Sequence, residues 1–342
     1  MVQPFSRGIS VKAIVWTKYG SPEVLVLREV EKPTPKDNEI LIKVHAAAVT
    51  MGDCEMRDLK LPLSIRYLMR VFVGIRKPKR RTILGQDLSG EIEAVGSDVT
   101  RFKKGDYVFG TTGFKFGAYA EYIALPADNS DGVLALKPTN ITHEEAAAVV
   151  TGGLNALHFL RKANVQPGQK ILIIGAGGSI GTVAVQLARS YGAEVTAIDS
   201  TKKLEMLGSI GADYVIDYTQ EDYTKRGEAF DIVFDVIGKG SLSSTINSVK
   251  PGGVYLMSNP RLTTTIRGRW VSMRSSKKVV GGTADEFPNL LSKITRLMEA
   301  GTIKAVIDRA YPLEQTAEAH RYVETGHKVG NVVISLANSK KA

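Results

Sequence analysis

Residues 170–200 read KILIIGAGGSIGTVAVQLARSYGAEVTAIDS. KILIIG is a near-continuous apolar run, the pattern of a parallel strand covered on both faces. A glycine-rich turn follows at once, then residues 179–191 with helical apolar spacing, and Gly192 stands where a helix end favours glycine. EVTAID (194–199) is the next strand. Within the turn, Ala176-Gly177-Gly178-Ser179-Ile180-Gly181 spells A-x-G-x-x-G, a variant of the dinucleotide-binding fingerprint. Gly178 lets the backbone approach a pyrophosphate, and Gly181 lets the helix pack closely on the strand. The unpaired N–H groups of the helix start face the phosphates. Asp199 ends the next strand, where a ribose-binding carboxylate is expected. A carboxylate there accepts hydrogen bonds from the hydroxyls of NAD(H) and repels the 2′-phosphate of NADP(H). Ser200, Thr201, Lys202 and Lys203 follow immediately and would cradle that phosphate if Asp199 turned away, so the choice of cofactor stays open.

Working outward, the βα alternation continues through YVIDY (214–218), DIVFDVIG (231–238) and GGVYLMSNP (252–260). Such alternation implies right-handed crossovers and a doubly wound parallel sheet. An amphipathic stretch at 285–300 closes on Gly301, a helix is expected at 314–325, and NVVISL (331–336) is a final strand. Thr142 followed by Glu145 resembles a capping box opening a helix. Before it, VKAIVW (11–16), EVLVLREV (23–30), EILIKVHAAAV (39–49) and GAYAEYIAL (117–125) read as strands, a compact all-β unit with at most one helix around 53–73. The expected organisation is an α/β protein of two domains. Residues 1–150 and 283–342 form a β-rich domain, and residues 151–282 form the Rossmann dinucleotide-binding domain.

Composition narrows the field. With 342 residues, 43% hydrophobic and 23% charged, the chain is ordinary globular material, which excludes disordered, collagenous and coiled-coil classes. One cysteine, Cys54, rules out an intramolecular disulfide and any zinc site built on several cysteines, and it fits a reducing compartment. The first residues carry no long apolar core, so a secretory leader is not expected and the default location is cytoplasmic. The net charge of +10 is lopsided. Nine basic residues from Arg57 to Arg81 face Asp58 alone, and six from Arg261 to Lys278 face no acid. An anionic ligand, a nucleic acid or a membrane surface would each suit such segments.

The order of a β-rich unit, a late fingerprint and a return strand joins GEIEAVGSDVTRFKKGDYVFG, TGGLNALHFL and GAGGSIGTVAVQLA. Together these resemble the medium-chain dehydrogenase/reductase superfamily, and more narrowly its zinc-free quinone oxidoreductase-like branch. The resemblance spans nearly the whole chain and implies a GroES-like first domain. That branch usually reads AAGGVG in the fingerprint; here Ser179 replaces a glycine. The zinc enzymes of the superfamily hold their catalytic metal by Cys, His and Cys. Here Thr50, Gln86 and Thr151 stand at or near those positions, and hydroxyls and an amide are poor zinc ligands.

Without a Lewis acid to stabilise an alkoxide, reduction of a simple ketone loses several kcal/mol of charge stabilisation. An enone or quinone suffers less, because it spreads the charge. The resemblance therefore implies NAD(P)H-dependent reduction of quinones or activated C=C bonds, with a small hydrophobic conjugated acceptor and a homodimeric assembly. Thr50 stands where the branch has Asn and would hydrogen-bond the nicotinamide ribose or the substrate oxygen, or else cap a turn. Asp53 holds that motif's acidic position and reads as a helix cap more readily than as a base. Thr151 and Asn155 should flank the nicotinamide, Lys203 and Tyr218 match positions that contact the adenosine phosphate, and Asn259 and Asn331 follow or open strands near the cofactor.

The five histidines read as packing or surface residues. Two other readings remain: an enoyl-thioester reductase acting on an anionic coenzyme A substrate, and a dinucleotide-binding protein with an RNA-binding or regulatory role. Against the last, the basic stretch lacks an RNA-binding motif. The segment DLKLPLSIRYLMRVFVGIRKPKRRT (58–82) is too apolar for a free loop and too basic for a core. It suits a lid over a bulky acceptor with an anion- or membrane-attracting end, or a core-packed helix followed by a solvated loop.

Overall fold

The computed structural model describes residues 9–61, 63–79, 82–128, 132–227, 229–238, 242–258, 262–282, 284 and 287–336. The chain divides into two compact units, one formed by the residues up to Val150 together with those from Ile307 onward, the other by Thr151–Val306.

The first unit is built around one long strand. β1 (Ser10–Trp16) pairs antiparallel with β2 (Leu25–Glu31). β3 (Glu39–Val49) alternates little because most of it is buried, the exposed Lys43 and partly buried Glu39 and His45 apart. Helix α1 (Met51–Asp58) springs directly from its end, followed by α2 (Leu63–Val73). One edge of β3 pairs with β4 (Asp87–Val95), which carries β5 (Tyr107–Thr111). The other edge takes β6 (Tyr122–Pro126) along its first half, while β7 (Val133–Leu136) extends the sheet beyond β5. Two short helices therefore stand where the sequence suggested at most one, around 53–73. They are not interchangeable: α2 buries Met69 and Val73 but leaves Tyr67 75% and Leu68 65% exposed.

Helix α3 (His143–Ala163) opens on a Thr142–Glu145 capping box, with Thr142 N donating to Glu145 Oε2 at 2.8 Å and Glu145 N to Thr142 Oγ1 at 3.1 Å. The second unit then follows: β8 (Lys170–Ile174), α4 (Ser179–Ser190), β9 (Glu194–Asp199), α5 (Leu204–Ser209), β10 (Tyr214–Asp217), β11 (Phe230–Asp235), α6 (Leu242–Thr245), β12 (Val249–Ser258), α7 (Leu262–Arg274) and β13 (Lys278–Gly282). These strands are all parallel, in the order β10-β9-β8-β11-β12-β13. Numbered within the unit this is 3-2-1-4-5-6, the doubly wound order whose reversal beside β8 creates the ligand crevice.

The expected return to the first domain at residue 283 is corrected to 307. Helix α8 (Phe287–Glu299) belongs to the second unit: its Ile294 packs so tightly on Gly153 that a Cβ there would stand 2.9 Å from Ile294 Cδ1. Gln186 on α4 also bonds both backbone groups of Lys304, at 3.0 and 2.8 Å. Only then do β14 (Ile307–Pro312), α9 (Thr316–Glu324) and β15 (Asn331–Ser335) complete the first unit, β15 pairing antiparallel with the end of β3. No helix among the described residues is long and apolar enough to cross a membrane.

Candidate active site

The fingerprint turn lies between β8 and α4. Gly181 is fixed by close packing: a Cβ there would meet Ala176 Cα, Ala176 O and Gly175 O, all at 2.5 Å. Gly178, the helix N-cap, is the opposite case, with nothing nearer than Gly175 O at 3.7 Å and no side chain capping the helix. The first-turn N–H groups around Ser179, Ile180 and Gly181 thus keep the partial positive charge of a helix N-terminus beside open space. Helix α3 abuts this turn at Gly152, where a Cβ would lie 2.3 Å from Ser179 O. That contact brings the turn of α3 bearing Thr151 and Asn155 beside the fingerprint; within the helix, Asn155 Nδ2 donates to Thr151 O at 2.9 Å.

Asp199 is committed to the loop itself. Its Oδ2 accepts from Gly177 N at 2.8 Å, its Oδ1 accepts from Ser200 N at 2.9 Å, and Lys203 Nζ stands 3.1 Å from Oδ1. Both side chains of the ion pair are nearly buried. The Lys203 stem covers Gly177, so that a Cβ on Gly177 would stand 2.4 Å from Lys203 Cδ. Tyr218 donates its N–H to Asp199 O at 3.2 Å and is itself 55% exposed. Gly177, Asp199, Ser200, Lys203 and Tyr218 are therefore one cluster at the C-terminal ends of β9 and β10. The pairing of Asp199 with Lys203 replaces the simple competition between an acid and a lysine that the sequence left open.

Thr50, Asp53, Gln86 and Asn331 lie in the first unit. Thr50 caps α1: its Oγ1 accepts from Asp53 N at 3.1 Å and donates to Asp53 Oδ2 at 2.7 Å, and Thr50 N donates to the same oxygen at 3.0 Å. Asp53 is fully buried, which pushes its carboxyl up to about 6 against the opposing pull of the Thr50 hydrogen bonds. Gly52 faces both polar groups: a Cβ there would make ordinary contacts, 3.5 Å from Thr50 Oγ1 and 3.9 Å from Gln86 Oε1. Gln86 is steadied by donating Nε2 to Gly113 O at 3.0 Å. Asn331 opens β15 and is buried in this unit, whereas the fingerprint cluster belongs to the other. Asn259 lies outside the described residues.

Two supporting residues escaped sequence reasoning. Tyr119, fully buried, donates its hydroxyl to Ala48 O at 3.3 Å, and its ring meets His320 edge-on at a centroid distance of 5.6 Å. Arg57 is buried beneath α1, donating to Gly20 O at 2.9 Å and to Glu324 Oε1 at 2.7 Å, with Nη1 3.3 Å from His320 Nδ1. An arginine cannot accept, so His320 presents a lone pair at Nδ1 and is neutral. Burial, reinforced by the Arg57 charge, pushes its imidazole down to about 3. Cys54 Sγ lies 3.4 Å from the same nitrogen, and burial pushes its thiol up, away from the reactive thiolate. Only the Thr50-x-x-Asp53 cap spacing signalled any of this in advance.

Known proteins resemble this chain along nearly all of its length. The family described as Alcohol dehydrogenase GroES-like domain matches residues 36–139, and that described as Zinc-binding dehydrogenase matches residues 210–334. A 2-methylene-furan-3-one reductase from Solanum lycopersicum is 34% identical over 336 residues, spanning 95% of this chain and 79% of the relative. A quinone oxidoreductase from Homo sapiens is 32% identical over 340 residues, spanning 95% and 98%. The structure of the quinone oxidoreductase from Coxiella burnetii superposes with a TM-score of 0.84 at 29% identity, covering 96% of this chain and 100% of that one. A GroES-like domain, a Rossmann sheet in the order described and these relatives converge: the chain belongs to the medium-chain dehydrogenase/reductase superfamily, in its quinone oxidoreductase-like branch.

Proposed function

We propose that the protein is a zinc-independent, NAD(P)H-dependent oxidoreductase that reduces quinones or the activated C=C bonds of enones and enals. The relatives named above support the reaction class, and a further relative, an NADPH-dependent alkenal/one oxidoreductase from Arabidopsis thaliana, is 32% identical over 336 residues. The observation that carries the reading is the pair of neutral polar groups, Thr50 Oγ1 and Gln86 Oε1, that stand together beside Gly52. A hydroxyl already turned to Asp53 and an amide steadied by Gly113 do not make a zinc ligand set; the Thr50 hydroxyl donates to a substrate carbonyl once Asp53 carries the proton, while Gln86 Oε1 only accepts.

A bound dinucleotide supplies the hydride. Gly177, Gly178, Ser179, Ile180 and Gly181 would hold its pyrophosphate at the start of α4, with Asp199, Ser200, Lys203 and Tyr218 at the adenosine end and Thr151 and Asn155 toward the nicotinamide; Asn331 and Asn259 belong to the same expectation. As the acceptor's β-carbon gains hydride, its π electrons move to the carbonyl oxygen. Thr50 donates its hydroxyl proton to that oxygen and takes one from Asp53 Oδ2, 2.7 Å away. Sealed from solvent itself, Asp53 recovers its proton through the partly exposed Thr50 hydroxyl. With its carboxyl at about 6, about one molecule in ten holds that proton at pH 7. The sign follows: turnover falls as pH rises through about 6 and beyond, and Asp53→Asn removes this dependence together with most of the rate.

A homodimer and a cytoplasmic location belong to the same reading. β13, the outer strand of its sheet, offers an edge for the dimer, and the single, buried cysteine suits a reducing compartment. The experiment is NADH and NADPH oxidation against a quinone, an enal, a simple ketone and an enoyl thioester, with Thr50→Val beside the parent protein. Quinone and enal turnover that Thr50→Val abolishes is expected. Chelator should leave the rate unchanged, with far less than one zinc per chain by elemental analysis. Stoichiometric zinc whose removal stops turnover, or turnover of the thioester alone, overturns the assignment.

A further inference from the structure

Helix α2 is apolar around most of its circumference, a composition that belongs to a buried or membrane-contacting helix. Yet among its described side chains only Met69 and Val73 are held in the core of the first unit. At 100° per residue, Ile65, Phe72, Leu68, Val71 and Tyr67 fall within one arc of about 160° that holds neither Met69 nor Val73. All five are exposed, between 39% for Phe72 and 75% for Tyr67, and Ile75 just beyond the helix is 69% exposed. Single exposed hydrophobes are ordinary; five within one arc of a short helix mark a contact surface.

The charge around this face identifies what it contacts. Arg70 borders the arc, and Arg76, Lys77 and Lys79 stand exposed in the turn that follows, where Lys79 N bonds back to Val73 O at 3.1 Å. The sequence carries no acid between Asp58 and Asp87. A second copy meeting this face across a two-fold axis would bring like charges together, since an isologous contact opposes a patch to itself. A bilayer with anionic headgroups satisfies both halves at once: acyl chains take the aromatic and aliphatic side chains, and phosphates take the guanidinium and ammonium groups.

We propose that α2 and the turn through Lys79 dock the protein on the surface of an anionic lipid bilayer. The helix lies in the interface with Tyr67, Leu68 and Val71 inserted, while Met69 and Val73 anchor it to the protein. This inference goes beyond the proposed reaction and does not depend on it, though apolar quinones and enals partition into the same phase.

The test is co-sedimentation of the full chain with phosphatidylcholine vesicles, with and without about one third phosphatidylglycerol, across a salt series. Two variants accompany it: Leu68→Ser with Val71→Ser, and Arg76→Gln with Lys77→Gln and Lys79→Gln. All five positions are surface residues, and unchanged melting temperature and unchanged turnover of a small soluble acceptor report that the fold is intact. The expected result is binding that requires phosphatidylglycerol and weakens with salt. At about fivefold per basic residue near an anionic surface, the triple variant should lose roughly a hundredfold in partition. The double serine variant should lose binding even at low salt.

Absence of binding by the parent protein overturns the proposal, as does equal binding by the variants. So does vesicle-free behaviour of another kind: an oligomer that the serine variant dissociates, or a KM for bulky acceptors that it raises while vesicles are ignored.

Discussion

Replacing Lys203 with methionine should change the preference between the two nicotinamide cofactors without dismantling the turn that binds them. Lys203 Nζ is 3.1 Å from Asp199 Oδ1, and the lysine stem packs over Gly177. Methionine keeps most of that packing and removes the charge. Asp199 retains its hydrogen bonds from Gly177 N and Ser200 N, so the loop keeps its shape, but the carboxylate loses its counter-charge. Removing one partner of a buried pair costs about 3–5 kcal/mol when the other is left bare; with two N–H donors remaining, about 1–3 kcal/mol is expected.

The effect on the cofactor is a second, separable magnitude. An ammonium a few ångströms from a phosphate, in a setting between water and protein interior, is worth about 1–2 kcal/mol after screening. The loss falls on NADPH alone, because NADH has no 2′-phosphate. The ratio of kcat/KM for NADPH to that for NADH should therefore drop about five- to thirtyfold. Asp199→Asn should move the ratio the other way, since it frees Lys203 and removes the repelling charge. The assay is steady-state oxidation of each cofactor with one common acceptor, alongside urea denaturation. If Lys203→Met lowers stability while the ratio stays fixed, the pair is only a brace for the loop and the reasoning fails.

Three further outcomes follow from the geometry. Gly178→Ala should leave stability nearly unchanged, its nearest neighbour being 3.7 Å away, yet weaken dinucleotide binding at least tenfold by fluorescence titration; Gly181→Ala, facing backbone at 2.5 Å, should cost about 1–3 kcal/mol of stability instead. His320 refuses below pH 6.5 a proton that the unfolded chain accepts, so it destabilises the fold progressively as pH falls. Relative to the parent protein, His320→Gln should therefore gain about 3 kcal/mol between pH 6.5 and 4 in denaturant titrations, and a constant difference would contradict the neutral imidazole. Met69→Ala should cost about 2–5 kcal/mol in chemical denaturation, whereas Tyr67→Ala, on the exposed face of the same helix, should stay within about 0.5 kcal/mol.

Much of the architecture was readable because it is written locally. The A-x-G-x-x-G turn after an apolar strand, the Thr142–Glu145 box and the β3 run each state their own conformation within a dozen residues, and each is found where its pattern lies. Thr50-x-x-Asp53 is of the same kind, an N-cap legible from its spacing. The return point was not legible: the break near 283 looked like a boundary, but Ile294 on Gly153 and Gln186 on Lys304 tie the next helix to the second unit.

What tertiary structure alone decided are the partners of charged and buried groups. From the sequence, Asp199 and Lys203 were rivals for one cofactor; in the fold they neutralise each other, with the Gly177 amide as a third party. Nothing near Asp53 in the chain foretold that it would be sealed beside Tyr119, or that Arg57 and His320, more than 260 positions apart, would meet beneath α1. Segment 58–82 carried both apolar and basic signals, and only burial sorted Met69 into the core and Tyr67 out of it. Hydrophobic period and turn chemistry are set by neighbours a few residues away. The desolvation and pairing that set a carboxyl's proton affinity, or leave an apolar face uncovered, depend on residues that only folding brings near.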